Sequence, residues 1–306
     1  TRAIAPTGTI SIIGESSSGV EPRYCLVPGS RVLTTNLHWV PIESLNEGDE
    51  VVGFREKPIY MHTNKFVPSI VISKHFVRRP TYRITTDRGI IEASSDHMWV
   101  ARRPFQYTKQ SKANEGYQWV ESRQLTPGMQ IAFTIEPWTR DTSFDGGWLA
   151  GILDGEGHFK IRGHRAGARM SIAQNEGRVL DRIRVLLQER GVPWKERQVV
   201  QNHPCLSLEP LGTWHKLRLL GMVRPIRLLS GMEWGWTKLC GKQSPPATII
   251  SVVPLGEQEV VALGTSTQTL VAEGFLSHNC VAYKRRYLKA NKHYYQYVVD
   301  PTAKRL

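Results

Sequence analysis

Leu276-Ser277-His278-Asn279-Cys280 closes one strand-rich stretch of this chain, and Cys25-Leu26-Val27-Pro28-Gly29 opens another far upstream. Two thiols therefore bracket residues 25–279, and an asparagine stands immediately before the second. A thiolate is a strong nucleophile, and an asparagine side-chain amide can attack its own main-chain carbonyl. This is the arrangement needed to cut a polypeptide twice and join its outer ends. His-Asn-Cys alone is a weak signal; paired with a Cys-initiated strand upstream it becomes specific.

Outward from these two points, residues 25 to about 136 read as short strands. Ser69-Ile70-Val71-Ile72 and Thr81-Tyr82-Arg83-Ile84-Thr85 are β-branched and partly alternating, with Asp87-Arg88-Gly89 as a turn signal. Glu47-Gly48-Asp49 and Pro127-Gly128 punctuate further strands. Residues 247–279 resume that character in Thr248-Ile249-Ile250-Ser251-Val252-Val253 and Thr269-Leu270-Val271-Ala272, with a turn at Glu273-Gly274. The expectation is one all-β unit completed by two sequence-distant pieces.

Between those pieces the hydrophobic period changes from two to 3.6. Trp148-Leu149-Ala150-Gly151-Ile152-Leu153 is helical in pattern, with Ser143 or Asp145 as N-cap. Strands follow at Gly157–Ile161 and Met170–Gln174, then an amphipathic helix over Val179–Leu187 that ends near Gly191. Two more strands fall around 195–208 and a helix around 213–221. The pattern predicts an α-ββ-α-ββ-α unit inserted in an exposed loop of the β unit.

Composition narrows the class. A chain of 306 residues with 40% hydrophobic and 22% charged residues suits a globular protein of about two domains. No apolar run is long enough for a membrane span, and no secretory leader pattern opens the sequence, so no membrane partner and a cytoplasmic location are expected. The cysteines at 25, 205, 240 and 280 show no zinc spacing. Cys205 and Cys240 read as small buried hydrophobes. The net charge of +13 is uneven: residues 141–245 carry 16 Lys+Arg against 10 Asp+Glu, and residues 246–279 carry three acids and no Lys or Arg. The basic excess within 141–245 is the part with an independent reason to meet DNA.

The paired cysteine segments resemble the two ends of an intein, a self-splicing protein insert. Glu92-Ala93-Ser94-Ser95-Asp96-His97 matches the Thr/Ser-x-x-His element of that family, with Ser in place of the commoner Thr. The resemblance implies an all-β Hint horseshoe in two parts, residues 25–136 and 246–279. It implies that Cys25 attacks the Tyr24 carbonyl, helped by proton exchange at His97 and a hydrogen bond donated by Ser94. Cys280 then takes the acyl group, and Asn279 cyclises with His278 polarising its carbonyl or protonating the leaving group. No cofactor is needed for these steps. Asp96 reads as a turn residue. Many inteins carry an Asp and a His before the C-terminal element, but Val260–Thr269 holds neither, so splicing that is slow or accompanied by side cleavage is expected. A Hedgehog-like autoprocessing module would share the Cys and the Ser-x-x-His but has no use for Asn279 before a nucleophile. A DNA-binding protein with a β scaffold leaves both cysteines unexplained.

Leu149-Ala150-Gly151-Ile152-Leu153-Asp154-Gly155-Glu156-Gly157 closely resembles the LAGLIDADG motif of homing endonucleases. Within residues 141–243 this implies an α+β endonuclease domain in which Glu156 binds a divalent cation, Mg²⁺ or Mn²⁺, for DNA cleavage. Asp154 reads as structural, at the helix terminus. Lys160, Arg162, Arg165, Arg169, Gln174, Lys195 and Arg197 are the expected contacts to double-stranded DNA, with Gln174 or Lys195 as candidate assistants to catalysis. The later helix near Trp214–Arg218 carries no second acidic motif, so a homodimer through the motif helix or a domain that no longer cuts is implied. Residues 1–24 and 280–306, joined, resemble a continuous segment of a ribonucleotide reductase large subunit, which would be the host.

Overall fold

The structure, a computed structural model, describes residues 24–55, 66–102, 117–161, 168–199, 205–232 and 246–279, and the strands Tyr283–Tyr287 and His293–Tyr297. Cys280, Cys240, Arg162, Arg165 and residues 1–23 lie outside the described residues. Most of the β segments belong to one twelve-stranded sheet. Its spine is an antiparallel ribbon of two long strands, Phe66–Thr86 and Ala247–Thr265, paired from Thr86 opposite Ile249 to Val71 opposite Thr265. The short strands legible at 69–72, 81–85 and 248–253 are fragments of this ribbon. Register shifts at Ile249/Ser251, Pro254/Gly256 and Gly264/Thr265 interrupt its alternation, and such bulges also bend a strand and re-aim its side chains.

The short strand Cys25–Leu26 fits between Gly89–Ser94 and Ala247–Thr265. Leu26 lies opposite Ala93 on one side, while Cys25 and Leu26 lie opposite Ala262 and Val261 on the other. Thr269–Ala272 and Phe275–His278 form a hairpin. Its turn holds Glu273 at φ 49° and Gly274 at φ 84°, the left-handed pair that a two-residue hairpin with native twist requires. Ala272 pairs with Val32, and Ser277 pairs with Trp99 on Met98–Arg102. The Glu273 carboxylate also accepts from the Arg31 backbone N–H at 2.6 Å and from its guanidinium at 2.7 Å. The last segment of the β unit is thus fastened to its first.

Residues 144–230 run helix Phe144–Gly155, strands Gly157–Ile161 and Ala168–Asn175, helix Arg178–Glu189, strands Trp194–Gln198 and Cys205–Pro210, and helices Thr213–Val223 and Ile226–Ser230. The first helix starts where its cap chemistry says: Ser143 Oγ accepts from the Gly146 N–H at 3.1 Å. The four strands make a separate antiparallel sheet. Its apolar face, including Met170, Ile172 and Leu208, packs on Leu149, Leu153, Leu180, Ile183 and Leu187. No helix among the described residues is long and apolar enough to cross a membrane.

One hydrophobic cluster, which includes Val32, Ile84, Trp99 and Phe275, stays within the β unit, and a second runs through both regions. Leu33, Phe54, Phe66, Ile135 and Trp138 from the β unit join Leu149, Trp214, Leu217 and Leu220 from the helical unit. Phe66 meets Trp214 edge-on at 5.0 Å, and Gly221 leaves room for the Trp138 indole.

Two glycines test this packing with opposite signs. A Cβ on Gly53 would stand 2.8 Å from Ser69 Cβ and 3.0 Å from the Thr269 carbonyl oxygen, whereas one on Gly151 meets nothing within 4 Å. Gly53→Ala is expected to lower stability by about 1–3 kcal/mol through overpacking. Gly151→Ala, on an open helix surface, is expected to raise it by about 0.5–1 kcal/mol. Urea midpoints read both, and a neutral Gly53→Ala would refute the close approach.

Candidate active site

The turn Ser94–His97 is the hinge of the site, because the strands on either side of it lead to opposite ends of the chain. Gly89–Ser94 lies beside Cys25–Leu26, and Met98–Arg102 lies beside Phe275–His278. The His97 N–H closes the turn on the Ser94 carbonyl at 3.0 Å. Cys25, Ser94, His97, His278 and Asn279 are all buried. The Tyr24 and His278 rings meet edge-on, with centroids 4.6 Å apart. The residue preceding Cys25 therefore touches the residue preceding Asn279.

At the upstream end, the backbone N–H of Cys25 donates to Ser94 Oγ at 3.2 Å. Here the serine hydroxyl accepts from the amide, because a main-chain nitrogen has only a proton to offer. The His97 imidazole is fully buried against Trp99, with ring centroids 4.4 Å apart. Burial, and then the neighbouring His278, lower its pKa to about 3, while the Cys25 backbone opposes the shift. Neither ring nitrogen makes a full hydrogen bond with a described residue. His97 is thus a neutral imidazole beside the Tyr24–Cys25 bond, able to hold a proton only in passing.

At the downstream end, His278 Nδ1 lies 2.7 Å from the Asn279 carbonyl oxygen. Since a carbonyl only accepts, this contact selects the tautomer with the proton on Nδ1, and it polarises the bond between Asn279 and the next residue. Asn279 is held at two further points. Its N–H donates to the Gln268 carbonyl at 2.9 Å, and its Nδ2 donates to Thr265 Oγ1 at 2.8 Å. Trp119 stands edge-on to His278 at 5.2 Å and helps to wall the imidazole from solvent. Asp96 sits in the turn as expected, with a buried Oδ1 that has no partner among the described residues.

Of the basic side chains expected to meet DNA, Lys160, Arg169, Lys195 and Arg197 lie among the described residues, on the four-stranded sheet. His158, Lys160, Arg169, Ser171, Ala173, Arg197, Val199 and Ser207 line one depression of about 260 Å³. Lys195 belongs to the same face through Glu209, which sits opposite it in register. Glu209 takes Arg169, Lys195 at 3.1 Å and Arg197 at 3.5 Å. Burial alone would raise the Glu209 pKa, but hydrogen bonds from Arg169 and Lys195 hold it below the usual carboxylate value. The face therefore stays basic while three of its cations are ordered around one carboxylate. Gln174 is a correction: its place in the strand puts it in the alternation of Met170 and Ile172, on the opposite face from Arg169.

Glu156 is the exposed C-cap of the Phe144–Gly155 helix, and its carbonyl accepts from the Ala173 N–H at 3.4 Å, at the margin of the basic depression. Among the described residues no three His, Cys, Asp or Glu side chains gather as a metal cage. Asp154 has the structural role its position suggested. It caps the next helix, accepting from the Ile226 and Arg227 N–H groups at 2.8 and 2.9 Å. Arg227, which the sequence did not single out, answers by donating to the Asp154, Leu153 and Gly157 carbonyls. Cys205 is half-buried at a strand end.

No family model and no curated protein matches the chain. Among solved structures it is similar to a variant of the Ssp DnaB mini-intein, at 11% identity and TM-score 0.40, over 86% of this chain and 98% of that one. It is also similar to a DnaB intein from Synechocystis sp. PCC 6803, at 12% identity and TM-score 0.38, over 84% and 99%. A bacterial intein-like domain from Clostridium thermocellum gives 11% identity and TM-score 0.36, over 83% and 98%. Similarity at this level assigns neither family nor activity.

The burial of His97 has a measurable consequence. Below pH 6.5 the unfolded chain protonates this residue, while the folded chain does so only near pH 3. The unfolded state thus binds more protons in that window, so stability is complete above pH 6.5 and falls as pH drops toward 3. His97→Gln is expected to flatten this dependence. Urea midpoints of parent and variant between pH 7 and pH 4 should converge, and parallel curves would refute a buried neutral imidazole.

Proposed function

We propose that residues 25–279 are a self-splicing intein of the Hint type, and that they join Tyr24 to Cys280. The observation that carries this reading is the Tyr24–His278 ring contact, because it sets the residue before Cys25 against the residue before Asn279. In the first step the Cys25 sulfur bonds to the Tyr24 carbonyl carbon and the Tyr24–Cys25 amide breaks. The thiol proton ends on the Cys25 nitrogen, with His97 as the carrier and Ser94 holding that nitrogen in place. The Cys280 thiol then displaces Cys25 from the thioester. Asn279 Nδ2 attacks the Asn279 carbonyl carbon, whose oxygen His278 polarises, and the Cys280 amine leaves. A shift of the acyl group from sulfur to nitrogen restores a normal peptide bond. The enforced proximity of the Asn279 groups supplies much of the rate.

Mass spectrometry of the expressed chain tests this directly. Residues 1–24 fused to residues 280–306 should appear beside a released fragment 25–279. Cys25→Ala should abolish ligation while leaving cleavage after Asn279 intact, and Asn279→Ala should do the converse, leaving thiol-induced cleavage before Cys25. Persistence of the unaltered chain after prolonged incubation with and without thiol would end the proposal.

A second activity is proposed for the helical unit: binding of double-stranded DNA at the uninterrupted host gene, with cleavage in Mg²⁺. The basic depression around Lys160, Arg169 and Arg197 supports the binding part. Glu156 offers one exposed oxygen donor set, the ligand type Mg²⁺ prefers, and Gly147, Gly151 and Gly155 form an open stripe on the same helix. A second copy meeting this stripe would bring a second Glu156, and a bound metal ion would activate water and stabilise the leaving oxygen. A host ribonucleotide reductase and a cytoplasmic setting complete the reading. Glu156→Gln is expected to abolish Mg²⁺-dependent cutting of host DNA while salt-sensitive DNA binding persists. Binding without cutting by the parent would instead mark a unit that retains only recognition.

A further inference from the structure

The Val260–Thr269 segment lacks the acid and imidazole that would assist Asn279, yet Asn279 is held there by a hydroxyl. Resting on the splicing proposal, we infer that Thr265 is a positioning residue for asparagine cyclisation, aiming the Asn279 side-chain nitrogen through its own oxygen. The register shift at Gly264/Thr265 ends the regular pairing with Phe66–Thr86 just where the Thr265 side chain turns toward Asn279. Thr265 is fully buried. Its hydroxyl donates to the Thr269 carbonyl at 3.3 Å, so its oxygen lone pair is what remains to accept from Asn279 Nδ2 at 2.8 Å. This pairing also distinguishes the two ends of the Asn279 amide: the nitrogen faces Thr265, and Oδ1 has no partner among the described residues.

The turn that presents Thr265 is itself rigid. The Gln268 N–H closes it on the Thr265 carbonyl at 3.1 Å, and the Gln268 carbonyl holds the Asn279 N–H at 2.9 Å. Behind it, Thr267 Oγ1 lies 2.6 Å from Ser69 Oγ and 3.0 Å from Thr269 Oγ1. Thr269 Oγ1 in turn donates to the Phe54 carbonyl at 2.6 Å and accepts from the Phe54 N–H at 2.9 Å. A network of hydroxyls anchored on the sheet thus fixes one N–H of the attacking amide, while His278 fixes the carbonyl under attack. In the step itself a bond forms from Nδ2 to the Asn279 carbonyl carbon, and the bond to the Cys280 nitrogen breaks. One Nδ2 proton is lost and the leaving amine gains one, so no external acid or base is consumed. Thr265 keeps its own proton throughout.

The full chain carrying Cys25→Ala isolates this step, since cleavage after Asn279 then proceeds without the upstream exchange. Adding Thr265→Val, which keeps the shape and removes the acceptor, is expected to slow that cleavage about tenfold, the value of one neutral hydrogen bond. Thr265→Ser should recover most of the rate. In the chain with Cys25 intact, thiol-induced cleavage before Cys25 should survive Thr265→Val unchanged. Equal cleavage rates for Thr265 and Val would overturn the inference, as would loss of both steps in Thr265→Val, which marks a purely structural role. Absence of cleavage at both junctions in the chain without any Thr265 change would instead defeat the splicing proposal beneath it.

Discussion

The structure depends on one strand, Ala247–Thr265, pairing with two partners from the other end of the chain. It lies against Phe66–Thr86 along its length and against Cys25–Leu26 near its end. Antiparallel neighbours fix position through alternating hydrogen-bonded pairs, so Cys25 is placed to within one residue by Ala262. A one-residue slip would turn Cys25 to the other face of the sheet. The hairpin that ends at His278 follows directly from the same strand, and its turn is tied back to Arg31 through Glu273. The positions of Cys25 and His278 are thereby set by backbone pairing.

The polar groups of the candidate site lie in a buried setting. An unpaired buried polar atom costs roughly 1–3 kcal/mol, and His97, Asn279 and Asp96 each bury at least one atom without a partner among the described residues. Such a cost is tolerable where packing around it is secure, as Trp99, Phe275 and Trp119 provide here. Low polarity keeps His97 neutral and strengthens the single contact from His278 Nδ1 to the Asn279 carbonyl.

Much of this was legible in the sequence where one residue type dictates one local geometry. Glu273-Gly274 demanded a hairpin, Ser143 announced a helix start, and the period of Val179–Leu187 gave the helix Arg178–Glu189. The long ribbon was not legible, because Pro80, Pro254 and three register shifts break its alternation into fragments. The shared core was not legible either, since Phe66 and Trp138 look like any buried aromatic until their neighbours are known. Gln174 was misplaced by a strand parity that only pairing reveals. The hydroxyl of Thr265 was missed. Threonine is common in strands, and only the run Thr265-Ser266-Thr267-Gln268-Thr269 hinted at a polar turn.

Placing Cys25 between strands that arrive at such different times makes the fold a clock. Gly89–Ser94 follows Cys25 soon after in synthesis, but Ala262 emerges only much later. At translation speeds of about 5–20 residues per second, the wait from Ser94 to Ala262 is roughly eight to thirty-five seconds. During that interval the upstream thiol has a neighbour on one side and an open edge on the other. The second half of its sheet, and the His278 ring that meets Tyr24, come only with residues 247–279, so the fold around Cys25 closes late.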